Sequence, residues 1–85
     1  MWNDRLRFAA GVKDDWASLG ADDRALVREA LERLDDDPIA GVPLFEPVRG
    51  YWSMRVGSHR IVYRIAPEAR SVFVLTIARL AREGS

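Results

Sequence analysis

The sequence predicts an α+β domain with the order β-α-α-β-β-β. A helical hairpin packs on one face of a mainly antiparallel four-stranded sheet. Two observations carry this. Apolar residues alternate at the start, recur at three- and four-residue spacing over the next thirty or so positions, and alternate again to the end. Glycine and proline cluster where the period changes, at Gly20, Pro38–Gly50, Gly57 and Pro67. Helices and strands grouped into separate runs favour α+β over a parallel α/β sheet.

The elements follow in order. Trp2 to Phe8 alternates, with Trp2, Asp4, Leu6 and Phe8 on one side, and reads as a short strand. Ala9, Val12, Trp16 and Leu19 then form one helical stripe, with Gly20 placed to end it. Asp22 can cap a second helix, whose stripe is Leu26, Val27, Ala30, Leu31 and Leu34. Pro38 stops it, and Asp35-Asp36-Asp37 sits against the negative end of the helix dipole. Residues 38–50 read as a connecting loop. Tyr51–Val56 and His59–Ile65 alternate on either side of Gly57-Ser58, a pair suited to a type II′ turn. A turn over Ala66–Arg70 leads to Ser71–Ala78, a mostly buried central strand.

With 85 residues and 48% hydrophobic content, the chain fits one domain, residues 1–85. It should bury roughly 60–65% of its unfolded surface. No apolar run approaches the ~20 residues a membrane span needs, and the N-terminus lacks a secretion-signal layout. Without cysteine there are no disulfides, thiolate metal sites or thiol nucleophiles, and a cytoplasmic location is expected. Asp35-Asp36-Asp37 reads as a solvated helix end, so no metal and no cofactor is expected. The net charge of zero hides a division. Residues 1–40 carry six basic and ten acidic groups, and residues 41–85 carry seven arginines and three glutamates. One half of the chain can therefore present a basic face to a polyanion.

If Gly57-Ser58 is a two-residue turn, Arg55 faces Arg60, Trp52 faces Tyr63 and Tyr51 faces Arg64. Trp52, Met54, Val56, Ile61, Tyr63 and Ile65 take the core face, with His59 at its margin. Tyr51, Ser53, Arg55, Arg60, Val62 and Arg64 take the other. Two directly opposed arginines destabilise a sheet by up to roughly 1 kcal/mol. An oxyanion between them reverses the sign, because guanidinium matches phosphate with paired N–H donors. Arg64 adds charge and Tyr51 a surface on which a base can stack. The competing reading has the arginines solvated or paired with carboxylates. Arginine outnumbers lysine twelve to one across the chain, so its abundance alone does not decide.

Leu44, Arg49-Gly50-Tyr51-Trp52, Arg55-Val56-Gly57-Ser58-His59-Arg60-Ile61-Val62-Tyr63-Arg64-Ile65 and Val72-Phe73-Val74-Leu75-Thr76-Ile77 resemble the RelE/ParE superfamily of toxins from type II toxin–antitoxin pairs. The likeness covers nearly the whole chain and leans to RelE more than to ParE. It implies the small RelE-like fold, a cognate antitoxin partner and a toxin–antitoxin hetero-oligomer. RelE-like members cut mRNA at the ribosomal A site, whereas ParE-like members poison DNA gyrase without nuclease residues. Carried over by position, the resemblance makes Arg55, Arg60 and Arg79 the catalytic set. Tyr51, Ser53, Arg64 and Arg82 become the RNA-binding set, with Ser53 at a position that is basic in the RelE pattern. The C-terminus departs from the family. Leu80 falls where an arginine is usual, Arg82 is the nearest replacement, and no tyrosine follows.

The implied reaction needs a base for the 2′-hydroxyl, charge stabilisation of the phosphorane, and a proton for the leaving oxygen. Arginine supplies the second need and is a poor base. Histidine is the side chain suited to proton transfer near neutral pH, but His59 alternates onto the core face. The expected activity is therefore that of a ribosome-dependent mRNA interferase with an incomplete catalytic set. The alternatives are a ParE-like gyrase poison and a degenerate toxin that retains only antitoxin binding.

Overall fold

The protein was analysed as a computed structural model that describes residues 5–44, 50–66 and 70–80. Strand β1 (Leu6–Phe8) leads to helix α1 (Val12–Ala17) and helix α2 (Ala21–Asp36). A single 3₁₀ turn (Pro38–Ala40) precedes β2 (Val42–Pro43), and β3 (Tyr51–Val56), β4 (His59–Ala66) and β5 (Ser71–Arg79) complete the sheet. The spatial order is β1-β5-β4-β3-β2. β1 runs parallel to β5 and every other pair is antiparallel.

The α+β class and mainly antiparallel sheet agree with the sequence, but the sheet has five strands rather than four. The added strand comes from the segment read as a loop. Val42 pairs with Ser53 and Pro43 with Trp52, and proline is tolerated there because the strand is an edge. Helix α1 begins at Val12 rather than near Ala9. Gly20 does not merely end α1. It is the N-cap of α2, in an extended conformation, so Asp22 lies inside the first turn instead of capping it. The C-terminal carbonyls of α1 are satisfied by Arg24, whose guanidinium donates to Trp16 O at 3.3 Å and to Ala17 O at 3.1 Å. Trp2 and Asp4, assigned to the first strand, lie outside the described residues.

The helices cover one face of the sheet. Val27, Leu31 and Leu34 from α2 and Val12 from α1 are buried with Leu6, Ile61, Tyr63, Val72, Val74 and Ile77. Leu26, placed on the same stripe, is instead 45% exposed. Tyr63 is fully buried, stacks on Trp52 with ring centroids 6.3 Å apart, and donates its hydroxyl hydrogen to Pro38 O at 2.8 Å. The same oxygen accepts from Gly41 N at 3.1 Å, which pins the 3₁₀ turn to the sheet. Only glycine fits at 41, because a Cβ would collide with the Tyr63 hydroxyl and lie 2.5 Å from Ser53 O. Among the described residues no helix is long and apolar enough to cross a membrane.

Candidate functional site

The β3–β4 hairpin closes through Gly57-Ser58. Gly57 has φ +58° and Ser58 is not among the residues of positive φ, as a type II′ turn requires. This turn fixes the register, and Arg55 stands directly opposite Arg60. Tyr51 is opposite Arg64 and Ser53 opposite Val62. Arg55, Arg60 and Arg64 are all exposed on the face that carries no helix. Among the described residues none of the three guanidinium groups makes a hydrogen bond or an ion pair. β3, β4 and β5 contain no carboxylate, whereas α2 alone holds six. The acidic helix layer and the basic strand layer thus meet through an apolar core, and the repulsion between Arg55 and Arg60 has no local counter-charge from the described strands.

The sheet does not bring Arg79 to this pair. β4 and β5 slip register between Val62 and Tyr63, so Tyr63 pairs with Val74 but Val62 pairs with Thr76. The extra residue in β5 reverses the faces beyond it. Uninterrupted alternation from the buried Val72 and Val74 would set Arg79 on the arginine face, opposite Ser58. With the bulge, Ile77 turns into the core, Arg60 faces Ala78, and Arg79 faces His59 on the helix side. Leu80 then alternates onto the arginine face, and its N–H donates to Ser58 O at 2.8 Å. Arg82 lies outside the described residues.

His59 is buried against the helices, with Nδ1 4.0 Å from Asp23 Oδ2 and no hydrogen-bond partner among the described residues. It stands away from the arginine pair, as alternation predicts. Tyr51 and Ser53 supply the hydroxyl groups of β3 on the arginine face. The arrangement can hold an oxyanion between two guanidinium groups, with the Tyr51 and Ser53 hydroxyls as further hydrogen-bond donors.

Two features escaped the sequence reading. Asp15, in the first turn of α1, accepts hydrogen bonds from Thr76 Oγ1 at 3.1 Å and from Ile77 N at 3.0 Å. It thereby satisfies the edge of β5 where β1 has ended, next to the bulge. Phe73, read as part of a mostly buried strand, is 40% exposed and lies opposite Arg64 on the open face. Its alternation with Val72 and Val74 was the available signal, obscured because every residue from 72 to 75 is apolar.

A five-stranded sheet with two helices on one face and a guanidinium pair on the other defines a small α+β domain with a basic open face. Residues 6–83 match the family model described as the ParE toxin of type II toxin–antitoxin systems. The chain belongs to this family, within the RelE/ParE superfamily. It is similar to a chain of the RelBE2 toxin–antitoxin complex of Mycobacterium tuberculosis, with 31% identity, TM-score 0.80, and coverage of 88% of this chain and 95% of that one. It is also similar to the YoeB/ParE toxin of Agrobacterium tumefaciens, at 25% identity and TM-score 0.76 over 91% of this chain and 99% of that one. The isolated Escherichia coli RelE toxin shares the fold at 21% identity and TM-score 0.80, with 94% and 87% covered. A search of curated proteins gave no match.

Proposed function

We propose that this toxin inhibits translation by ribosome-dependent cleavage of mRNA at the A site, with Arg55 and Arg60 gripping the scissile phosphate. The observation that carries the reading is the directly opposed arginine pair on an open sheet face whose strands contain no carboxylate. Such a pair is a cost to the isolated fold and a gain once a phosphate sits between its members.

In the reaction the 2′-oxygen forms a bond to phosphorus and the bond to the 5′-oxygen breaks, leaving a cyclic phosphate. The proton lost from the 2′-hydroxyl must reach a base, and one must be supplied to the 5′-oxygen. Arg55 and Arg60 stabilise the negative charge that builds on the non-bridging oxygens. A ribosome that already holds the mRNA in place reduces what the protein must supply. Arg79 enters this reading only as a flanking charge, since its strand position faces the helices. The site acts in the cytoplasm, without metal or cofactor, and a cognate antitoxin holds the toxin inactive in a hetero-oligomer.

The test is a cell-free translation reaction with mRNA 5′ ends mapped by primer extension, with and without ribosomes. Cuts that appear only with ribosomes, and vanish in the Arg55→Ala/Arg60→Ala double variant while it stays folded, are the expected result. Intact mRNA and normal translation with the wild-type protein would refute the proposal.

A second reading, a gyrase poison acting by protein contact, is favoured by the ParE description of the family and by Leu80 on the arginine face. A DNA gyrase supercoiling assay separates the two.

A further inference from the structure

At the far end of the open face, the register lines up four side chains from four strands. Tyr51 of β3 stands opposite Arg64 of β4, Arg64 opposite Phe73 of β5, and Phe73 opposite Arg7 of β1. Aromatic ring and guanidinium alternate along the row. Phe73 is 40% exposed, although Val72 and Val74 on either side of it are fully buried. Arg64 and Arg7 are exposed, and Arg7 donates to Leu6 O at 2.9 Å, which ties its head group to the strand. The described strands contribute no carboxylate to the face.

We infer that this row is a stacking platform for single-stranded RNA. Bases stack on Phe73 and Tyr51, and Arg64 meets the backbone phosphates between them. A patch built for a protein partner gathers its apolar side chains together and can use either sign of charge at its rim. Here the two rings are held apart by a guanidinium, and every charged residue of the described strands on this face is an arginine, the pattern that suits successive bases joined by phosphates. Arg64 lies four residues along β4 from Arg60, about 13 Å at the rise of a strand. A strand of RNA gripped at the Arg55–Arg60 pair can follow β4 across Ser53 and Val62, which are uncharged, and reach the row. The inference rests on RNA being the substrate and adds how it is recognised: by base stacking beyond the scissile phosphate, with little dependence on base identity.

The experiment measures fluorescence anisotropy of the full-length chain with two labelled probes, a short oligouridylate and an abasic ribose–phosphate strand of the same length. Phe73→Ala is expected to weaken oligouridylate binding about tenfold and leave the abasic strand unchanged. Phe73→Trp should restore affinity. Arg64→Ala should weaken both probes and lower the salt slope by about 0.7. Circular dichroism confirms that each variant is folded. Equal affinity of Phe73→Ala and wild type for oligouridylate overturns the platform, as does an equal loss on both probes. Loss of antitoxin binding alone would assign the face to a protein partner and overturn it too. The ribosome assay separates the two claims. Ring-dependent RNA binding without ribosomal cuts keeps the platform and removes the nuclease reading, whereas cuts without ring-dependent binding do the reverse.

Discussion

Tyr63 offers the sharpest test of how the fold is held together. Its buried hydroxyl bridges Pro38 O and Gly41 N, so Tyr63→Phe removes one donor and one acceptor at once. Pro38 and Gly41 are only half-buried, and water can partly replace the lost bonds. At about 1 kcal/mol for each bond, the variant should lose about 2 kcal/mol. For a domain of this size that lowers Tm by roughly 8–16 °C. Burial raises the phenol's pKa above its ordinary value of 10.0, and the negative charge of Asp37 adds to the rise, while the Gly41 N–H opposes it. Below about pH 10 the phenol is neutral in both folded and unfolded chains, and its contribution is intact. Above that, the unfolded chain ionises first and binds fewer protons, so stability falls as pH rises towards the folded-state value. Tyr63→Phe should therefore be less stable at neutral pH and lose less stability above pH 10. Urea unfolding followed by tryptophan fluorescence reads both. A variant as stable as wild type, or one with the same alkaline fall, would refute the bridge as the element that pins the 3₁₀ turn.

Asp15→Ala should cost about 1.5 kcal/mol, because it strips the Ile77 amide and the Thr76 hydroxyl of a charged acceptor. Hydrogen exchange at the Ile77 amide should accelerate by about tenfold, and unchanged exchange would show that another group satisfies that edge. Arg79→Ala should leave ribosome-dependent cleavage near the wild-type rate, since Arg79 faces His59 across the strands, whereas Arg60→Ala should abolish it. Leu80→Arg puts a guanidinium on the arginine face and should raise the cleavage rate about tenfold, the value of one more charge-assisted bond to the phosphorane. A primer-extension time course with the three variants checks both. Gly41→Ala should cost at least about 1 kcal/mol, read by urea unfolding, as its Cβ meets the Tyr63 hydroxyl and the Ser53 backbone.

How much of this was legible in the sequence depends on whether the information was local. The Arg55–Arg60 opposition needed only the turn chemistry of Gly57-Ser58 and the two-residue period of a strand, and the register agrees pair for pair from Tyr51–Arg64 to Val56–His59. The helix stripe was local too, apart from Leu26, which sits at its edge beside Gly57 rather than over the core. β2 was not legible, since two residues that include a proline carry no period and pair only because Tyr63 anchors the preceding turn.

The β5 bulge shows most clearly where sequence reasoning stops. Val72 to Leu75 is apolar without a break, so neither face is marked, and a one-residue slip leaves no trace in the pattern. What determines it is tertiary. Ile61 on β4 needs a buried partner, as Tyr63 has in Val74, and the slip gives it Ile77, while Asp15 accepts the Ile77 N–H beyond the end of β1. Without the slip, Thr76 would stand inside against Ile61 and Ile77 would face solvent beside Arg60. The gain is therefore an isoleucine buried in place of a threonine, worth on the order of 1–2 kcal/mol. It carries Arg79 away from the phosphate site and brings Leu80 towards it. The departure of the C-terminus from the family pattern and the geometry of the sheet thus meet at Leu80. A reversal of the predicted Leu80→Arg and Arg79→Ala effects would mean that β5 takes the unslipped register when the toxin meets its target.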